Sequence, residues 1–348
     1  MSENKKILWF IFFAASGAIL FLGGFSFTRS KIIEINPLPA QISSSMTRQE
    51  TTADNHSSAV LILTGDIMLN RRVELMMRTK NDYTFPFLNV NEDLRKADLV
   101  FGNLEGPLSD QGEKVGSIYS FRANPEAIKG LQFAGFDILS LANNHSFDYG
   151  KEALEDTFTR LKAADIDYIG AGKNESEAYG ELIKEINGVK IAFLAYTNLG
   201  PESWQATSQG SGLAWVGAKN LPKIKRDIQK AKAQADILIV SLHAGEEYIA
   251  SPSQFQIDFA RSAIEEGADL VVGHHPHVVQ KNEIYPSTGS GQVGWIFYSL
   301  GNFVFDQSFS ENTMKGQLVK VLIEDKKIKE VIPINVKINN FFQPELEQ

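Results

Sequence analysis

From Ala59 onward, short apolar runs alternate with amphipathic segments, and this alternation restricts the chain more than any other feature. The runs are AVLILTGD from Ala59, DLVFGN from Asp98, FDILSLAN from Phe136, VKIAFLAY from Val189, DILIVSLH from Asp236, ADLVVGH from Ala268 and GWIFYSLGNFVF from Gly294. Each is too short for a buried helix and is rich in residues that suit a strand covered on both faces. The segments between them carry helical spacing: NPEAIKGLQFAG from Asn124, GKEALEDTFTRLKAAD from Gly150 and SPSQFQIDFARSAIEEG from Ser251. Strand followed by helix, repeated, is the pattern of βα units, so the fold class is α/β with a largely parallel sheet. The stretch from Gln317 to Asn339 alternates apolar and polar residues around DKK and reads as an antiparallel hairpin on a sheet edge. PSTGSGQ from Pro286 reads as a loop between strands, and no internal repeat is present.

The N-terminus is different in kind. Ile7 to Phe27 (ILWFIFFAASGAILFLGGFSF) has no charge and is long enough to cross a hydrocarbon core of ~30 Å as one helix. Lys5 and Lys6 before it favour a cytoplasmic N-terminus, although Arg29 and Lys31 beyond it weaken that signal. A cleaved signal peptide is the alternative, but the apolar stretch exceeds the usual core and no small-x-small cleavage site follows. The next segment is rich in Ser, Thr, Gln, Asn and Pro and includes a solvated His56. The expected organisation is a cytoplasmic N-terminus at 1–6, a transmembrane anchor at 7–27, a flexible linker at 28–58, an α/β domain at 59–340 and a tail at 341–348. The implied location is the cell membrane, single-pass, with the main domain extracytoplasmic.

Composition narrows the chemistry. A formal charge of -8 argues against a nucleic-acid partner, which needs a basic face. With no cysteine, any metal must be held by oxygen and nitrogen. Polar groups of the required kind stand at the strand ends: Asp66 after VLILTG, Asn103 and Glu105 after DLVFG, Asn143, Asn144 and His145 after ILSLA, His243 after ILIVSL, and His274, His275 and His277 after DLVVG. Singly, each is a turn former, helix cap or ordinary core histidine. Together they place five of the six histidines where parallel strands open into one crevice. Imidazoles, carboxylates and an amide suit one or two divalent ions of Mn, Zn or Fe, with Mg less favoured.

In order along the chain, LTGDIMLNR, FGNLEGPLS, FRANPE, LANNHSFDYG, SLHAGEEY, GADLVVGHHPHVVQ and YSLGNFVFDQ resemble the motifs of the CapA, or poly-gamma-glutamate synthesis, family of capsule biosynthesis proteins. That family is similar in turn to calcineurin-like metallophosphoesterases, which implies a four-layer α/β/β/α sandwich. The resemblance implies metal ligands Asp66, Glu105, Asn144, His243, His275 and His277, with His145 protonating a leaving group beside Asn144. Met68 stands where the metallophosphoesterases have a histidine ligand and Asn103 where they have the bridging aspartate, so Glu105 is the substitute carboxylate. A thioether is a poor ligand for a hard ion. Arg71, Arg72 and Arg122 are candidates to grip a carboxylate or phosphate, and Asn103, Asn143 and His274 are further candidates for substrate contact. The implied function is a membrane-anchored component of capsule or poly-gamma-glutamate synthesis or export, acting on or binding an anionic polymer alongside membrane-bound synthesis proteins. A cell-surface metal-dependent phosphoesterase and a non-catalytic polymer-binding or scaffold module are the alternatives.

Overall fold

The computed structural model describes residues 57–116, 118–288, 291 and 293–347. The expected anchor at 7–27 and nearly all of the linker lie outside these residues. Among the described residues, no helix is long and apolar enough to cross a membrane.

In chain order the first strands are β1 (Ser58–Ile67), β2 (Leu99–Leu104), β3 (Ile138–Ser140), β4 (Asp167–Ile169), β5 (Ala171–Gly172), β6 (Leu182–Ile186), β7 (Val189–Thr197) and β8 (Gly212–Leu213). They are followed by β9 (Ile237–His243), β10 (Leu270–His274), β11 (Asn282–Pro286), β12 (Val293–Phe297), β13 (Asn302–Val304), β14 (Lys315–Glu324), β15 (Lys327–Ile338) and β16 (Pro344–Leu346). The α-helices are α1 (Arg71–Lys80), α2 (Asn91–Leu94), α3 (Ile128–Ala134), α4 (Gly150–Ala163), α5 (Glu175–Ala178), α6 (Leu221–Lys232) and α7 (Gln254–Glu265). This is a mixed α/β fold with several sheets. One runs β16-β15-β14-β1-β2-β3-β4, with β13 also on β1; a second runs β11-β12-β10-β9-β7-β6; and β5 pairs with β8. The expected hairpin is β14–β15, antiparallel, with β14 seated on β1.

The continuity of the apolar runs has a simple cause, because neighbouring residues of one strand enter different cores. Leu61, Leu63, Phe101 and Ile138 of the first sheet and Ile191, Phe193, Ile239 and Val272 of the second share one buried cluster. Their alternates, Ile62, Val100 and Leu139, pack with Val73 and Met77 of α1, Leu131 of α3 and Phe158 of α4. On the second sheet Leu194, Leu238 and Val240 pack with Ile224 and Ile228 of α6 and Phe259 of α7. Phe101 and Phe193 stack with centroids 6.0 Å apart, linking the sheets.

GWIFYSLGNFVF, read as one strand, is two. Its first part is β12 of the second sheet, whereas Asn302–Val304 runs parallel to β1 in the first. The chain changes sheet at Gly301, whose φ of 67° is the left-handed conformation that glycine adopts without a Cβ penalty. Gly301 O accepts the Asp66 N–H at 3.0 Å, and a Cβ on Gly65 would lie 2.1 Å from the same oxygen.

Candidate metal centre

The sheet change brings three polar residues into register: Asp66 on β1 stands between Asn103 on β2 and Asn302 on β13. Asn103 Nδ2 donates to Asp66 Oδ1 at 2.8 Å and faces His243 Nδ1 at 3.3 Å. Asn103 Oδ1 accepts from Asn143 Nδ2 at 3.2 Å. Asp66 Oδ2 accepts the backbone N–H of His275 at 3.2 Å and lies 3.2 Å from His277 Nδ1. His243, the last residue of β9, donates from Nε2 to Asn144 Oδ1 at 2.8 Å. The rings of His243 and His275 are 5.0 Å apart and those of His275 and His277 5.8 Å.

The His275-Pro276-His277 segment holds both histidines at positive φ, 98° and 57°. Such geometry is costly away from glycine and persists where the surroundings fix it. Here Asp66 binds the His275 N–H, Pro276 O accepts the Tyr248 N–H at 2.8 Å, and His277 Nδ1 donates to Asn302 Oδ1 at 3.0 Å.

Ligand atoms gather in two groups, Asp66 with Glu105 and His243, and Glu247 with His275 and His277. Within each, one donor atom per residue lies within 4.8 Å of the others. Both carboxylate oxygens of Glu105 and the Nδ1 of His275 are buried with no hydrogen-bond partner. An unpartnered buried polar atom costs about 1–3 kcal/mol, and three at one sheet edge, all of ligand type, fit a cation held by oxygen and nitrogen.

The electrostatics agree. Burial pushes His275 down to about 3, with the neighbouring His277 adding to the effect, and burial with four nearby histidines keeps His243 well below its usual value. Burial works against His277 too, but the facing Glu105 and Asp66 carboxylates push it up to about 9. Burial would raise Asp66, yet His277, His274 and Asn103 hold it below the usual carboxylate value. Glu105 goes the other way, raised well above the ordinary value by burial, with His277 opposing and Asp66 reinforcing. The closer, hydrogen-bonded Asp66 is favoured in its charged form, whereas burial works against the charged form of Glu105.

His145 lies beside this centre. Its Nδ1–H donates to Asp148 Oδ2 at 2.6 Å, its ring stacks on Phe121 at 4.0 Å, and its Nε2 is 3.7 Å from Glu105 Oε1. Asp148 Oδ2 also accepts the Phe121 N–H at 2.7 Å, so one carboxylate orients the imidazole and the ring beneath it. Above them opens a cavity of about 280 Å³ lined by Arg71, Phe121, His145, His277 and others.

Asp66, Glu105, Asn144, His145, His243, His275 and His277 are therefore brought together. Of the expected substrate-binding residues only Arg71 lines the cavity; it is ion-paired with Asp306 and lies 4.8 Å from the Phe121 ring. Asn103 and Asn143 are buried behind the carboxylates. His274 is corrected to a core residue, because strand alternation turns its ring between the sheets, where Nε2–H donates to Thr64 O at 3.1 Å and Nδ1 meets Ser241 Oγ at 3.3 Å. Arg122 also leaves the site, covering the Tyr149 ring at 4.0 Å and donating to Gln111 O and Gly112 O. Arg72 lies 4.6 Å from the Phe342 ring. Met68 is buried in the cluster under α1, its sulfur accepting the Asn70 N–H at 3.1 Å. Sequence reasoning missed Asp148, Glu247, Asn302 and Asp306, all of which stand within the motifs LANNHSFDYG, SLHAGEEY and YSLGNFVFDQ.

A mixed α/β domain with an oxygen- and nitrogen-donor centre at its sheet edge is thus the class of protein in hand. The chain belongs to the family described as Bacterial capsule synthesis protein PGA_cap, which matches residues 60–307. It is 37% identical over 285 residues to the capsule biosynthesis protein CapA of Bacillus anthracis, covering 80% of this chain and 67% of that protein. It is 34% identical over 293 residues to the PGA biosynthesis protein CapA of Bacillus subtilis (strain 168), covering 82% and 73%. Among solved structures it is similar to a hypothetical protein from Thermus thermophilus, with a TM-score of 0.49 and 14% identity over 80% of this chain and 99% of that one. A putative 5'-nucleotidase from Staphylococcus aureus gives 0.43 and 13% over 84% and 53%.

Proposed function

We propose that this chain serves the synthesis or export of a capsule or poly-gamma-glutamate polymer, and that its sheet-edge centre holds one or two divalent ions and handles that anionic polymer. The observation that carries the reading is the set of orphaned ligand atoms on Glu105 and His275 beside Asp66, His243 and His277. On this reading the architecture is the four-layer sandwich of the metallophosphoesterase type, with residues 7–27 anchoring an extracytoplasmic domain to the membrane. Membrane-bound synthesis proteins are its expected partners.

Asp66, Glu105, Asn144, His243, His275 and His277 would hold the cation. When bound, a divalent ion supplies Lewis-acid chemistry, polarising a bond under attack and making water a better nucleophile near neutral pH. His145, its Nδ1 fixed on Asp148, presents Nε2 toward the centre and can pass a proton to a leaving group from that atom. Arg71 orients an anionic group, and Phe121 shields the His145 face from water.

The test is metal analysis of the purified protein together with cleavage of phosphoesters and of poly-gamma-glutamate, with and without His275→Ala. Bound metal and a cleavage activity that both fall in the variant are expected. Metal-free protein with unchanged polymer binding would sink the metalloenzyme reading and favour a binding module, to which the internally bonded Asn103 and the core-facing Met68 already lend support. Protease added to intact cells should digest the domain; full protection would overturn the topology.

A further inference from the structure

Apart from a cation held in the centre, the cavity above it offers few positive side chains to a threaded polyanion. Among the described residues, Arg71 is the one lysine or arginine lining it. Arg71 is already committed to Asp306, its Nε donating to Asp306 Oδ2 at 3.2 Å, and that carboxylate also takes the Arg72 N–H at 3.1 Å. Glu247, exposed at the mouth, adds negative charge, and the whole chain is formally at -8. Beyond a cation held in the centre, the His277 imidazolium beside Asp66 and the Arg71 guanidinium, a run of carboxylates would find no positive group among the described residues along this cavity, and Glu247 would repel it.

The rim is aromatic instead. Tyr119, Tyr248 and Phe309 line the mouth and are 66%, 42% and 65% exposed, and Tyr248 meets Phe309 edge-on with centroids 4.9 Å apart. Ring faces carry negative quadrupole density, so they accept aliphatic and amide groups and disfavour carboxylates. The volume, about 280 Å³, falls just below the roughly 300–1,000 Å³ of ligand pockets, too little for a stretch of polymer.

We propose that the cavity takes a polymer by its end: one terminal anionic group on the partly exposed guanidinium of Arg71 in the cavity wall, which Asp306 holds in place, the aliphatic and amide part of the last units against Tyr119, Tyr248 and Phe309, and the remaining charged chain outside. This rests on the polymer reading above and adds to it that the protein works at chain termini and not along the chain.

The test uses γ-linked glutamate oligomers, from a dimer to chains several tens of residues long, titrated calorimetrically into the full-length protein in the presence of manganese at several salt concentrations. Expected is an affinity per chain constant within about twofold at all lengths, a salt dependence that does not steepen with length, and a loss of about tenfold or more when both termini are capped. Phe309→Ala, at an exposed position, should weaken short and long chains equally, by about three- to tenfold. Affinity that climbs with length and a salt dependence that steepens with it, or capped chains binding as well as free ones, would overturn the end-binding inference and leave the polymer reading standing. Absence of binding at every length would remove both.

Discussion

Replacing Glu105 by Gln should make the metal-free protein more stable at neutral pH while weakening it in the presence of metal. Glu105 is 2% exposed, both its oxygens lack partners, and burial raises it well above its ordinary value of 4.5. Between its unfolded and its raised folded value, such a carboxyl is neutral in the fold and ionised in the unfolded chain. Folding therefore takes up a proton, and stability is lost as pH rises above 4.5. For each pH unit by which the fold raises this group above 4.5, holding the proton costs about 1.4 kcal/mol. At roughly 2 °C per kcal/mol for a domain of this size, each such unit is worth on the order of 3 °C. The glutamine amide has its own desolvation cost, but that offset does not vary with pH. Thermal melts of the full-length protein and Glu105→Gln, in chelator, from about pH 4 to about pH 8 should show a gap that widens with pH in favour of the variant. Manganese should reverse the order, because only the parent gains full metal-linked stability. A gap independent of pH, or a manganese response identical in both proteins, would refute the reasoning.

Asp148→Asn removes the carboxylate that orients His145; any cleavage activity should fall about 10²-fold in kcat with metal content unchanged, which steady-state kinetics and metal analysis of the same sample would check. Gly65→Ala places a Cβ 2.1 Å from Gly301 O, so melting should drop by about 2–6 °C for an overpacking cost of about 1–3 kcal/mol, and manganese affinity should fall as Asp66 shifts. Chelation of the parent protein should lower its melting point, with about 2.7 kcal/mol at stake where free metal had stood at a hundredfold over its Kd; melts before and after dialysis against chelator would measure it.

Much of the first layer of this centre was legible because parallel strands leave few choices. Buried on both faces, β1, β2, β9 and β10 read as apolar runs, and the first polar residue after each run falls at the shared edge. What was not legible came from loops and crossings. Asp148, three residues beyond His145, follows no period, and its role appears only when the loop folds back to meet the ring. Asn302 was hidden inside an apolar run whose change of sheet depends on the φ of one glycine. His274 and His275 are adjacent and equally plausible as ligands on paper, and strand alternation separates them, one ring into the core and the other into the centre. The surface arginines could not be ranked from sequence, because Arg71 and Arg122 differ only in what they find in the fold, the Phe121 ring and the Asp306 carboxylate for one, the Tyr149 ring and two backbone carbonyls for the other.

The passage of one chain from β12 to β13, with Asp66 seated beside the crossing, has a consequence for how this centre can be altered or transplanted. Asp66 and Glu105 come from the first sheet, His243 and His275 from the second, and no contiguous segment owns the set. A fragment that keeps one sheet keeps half the donors. A cation bound there would act as a rivet between the two sheets, so its retention reports whether they remain in register, and a substitution deep in the Phe101–Phe193 contact would be felt at the metal before it was felt at the surface.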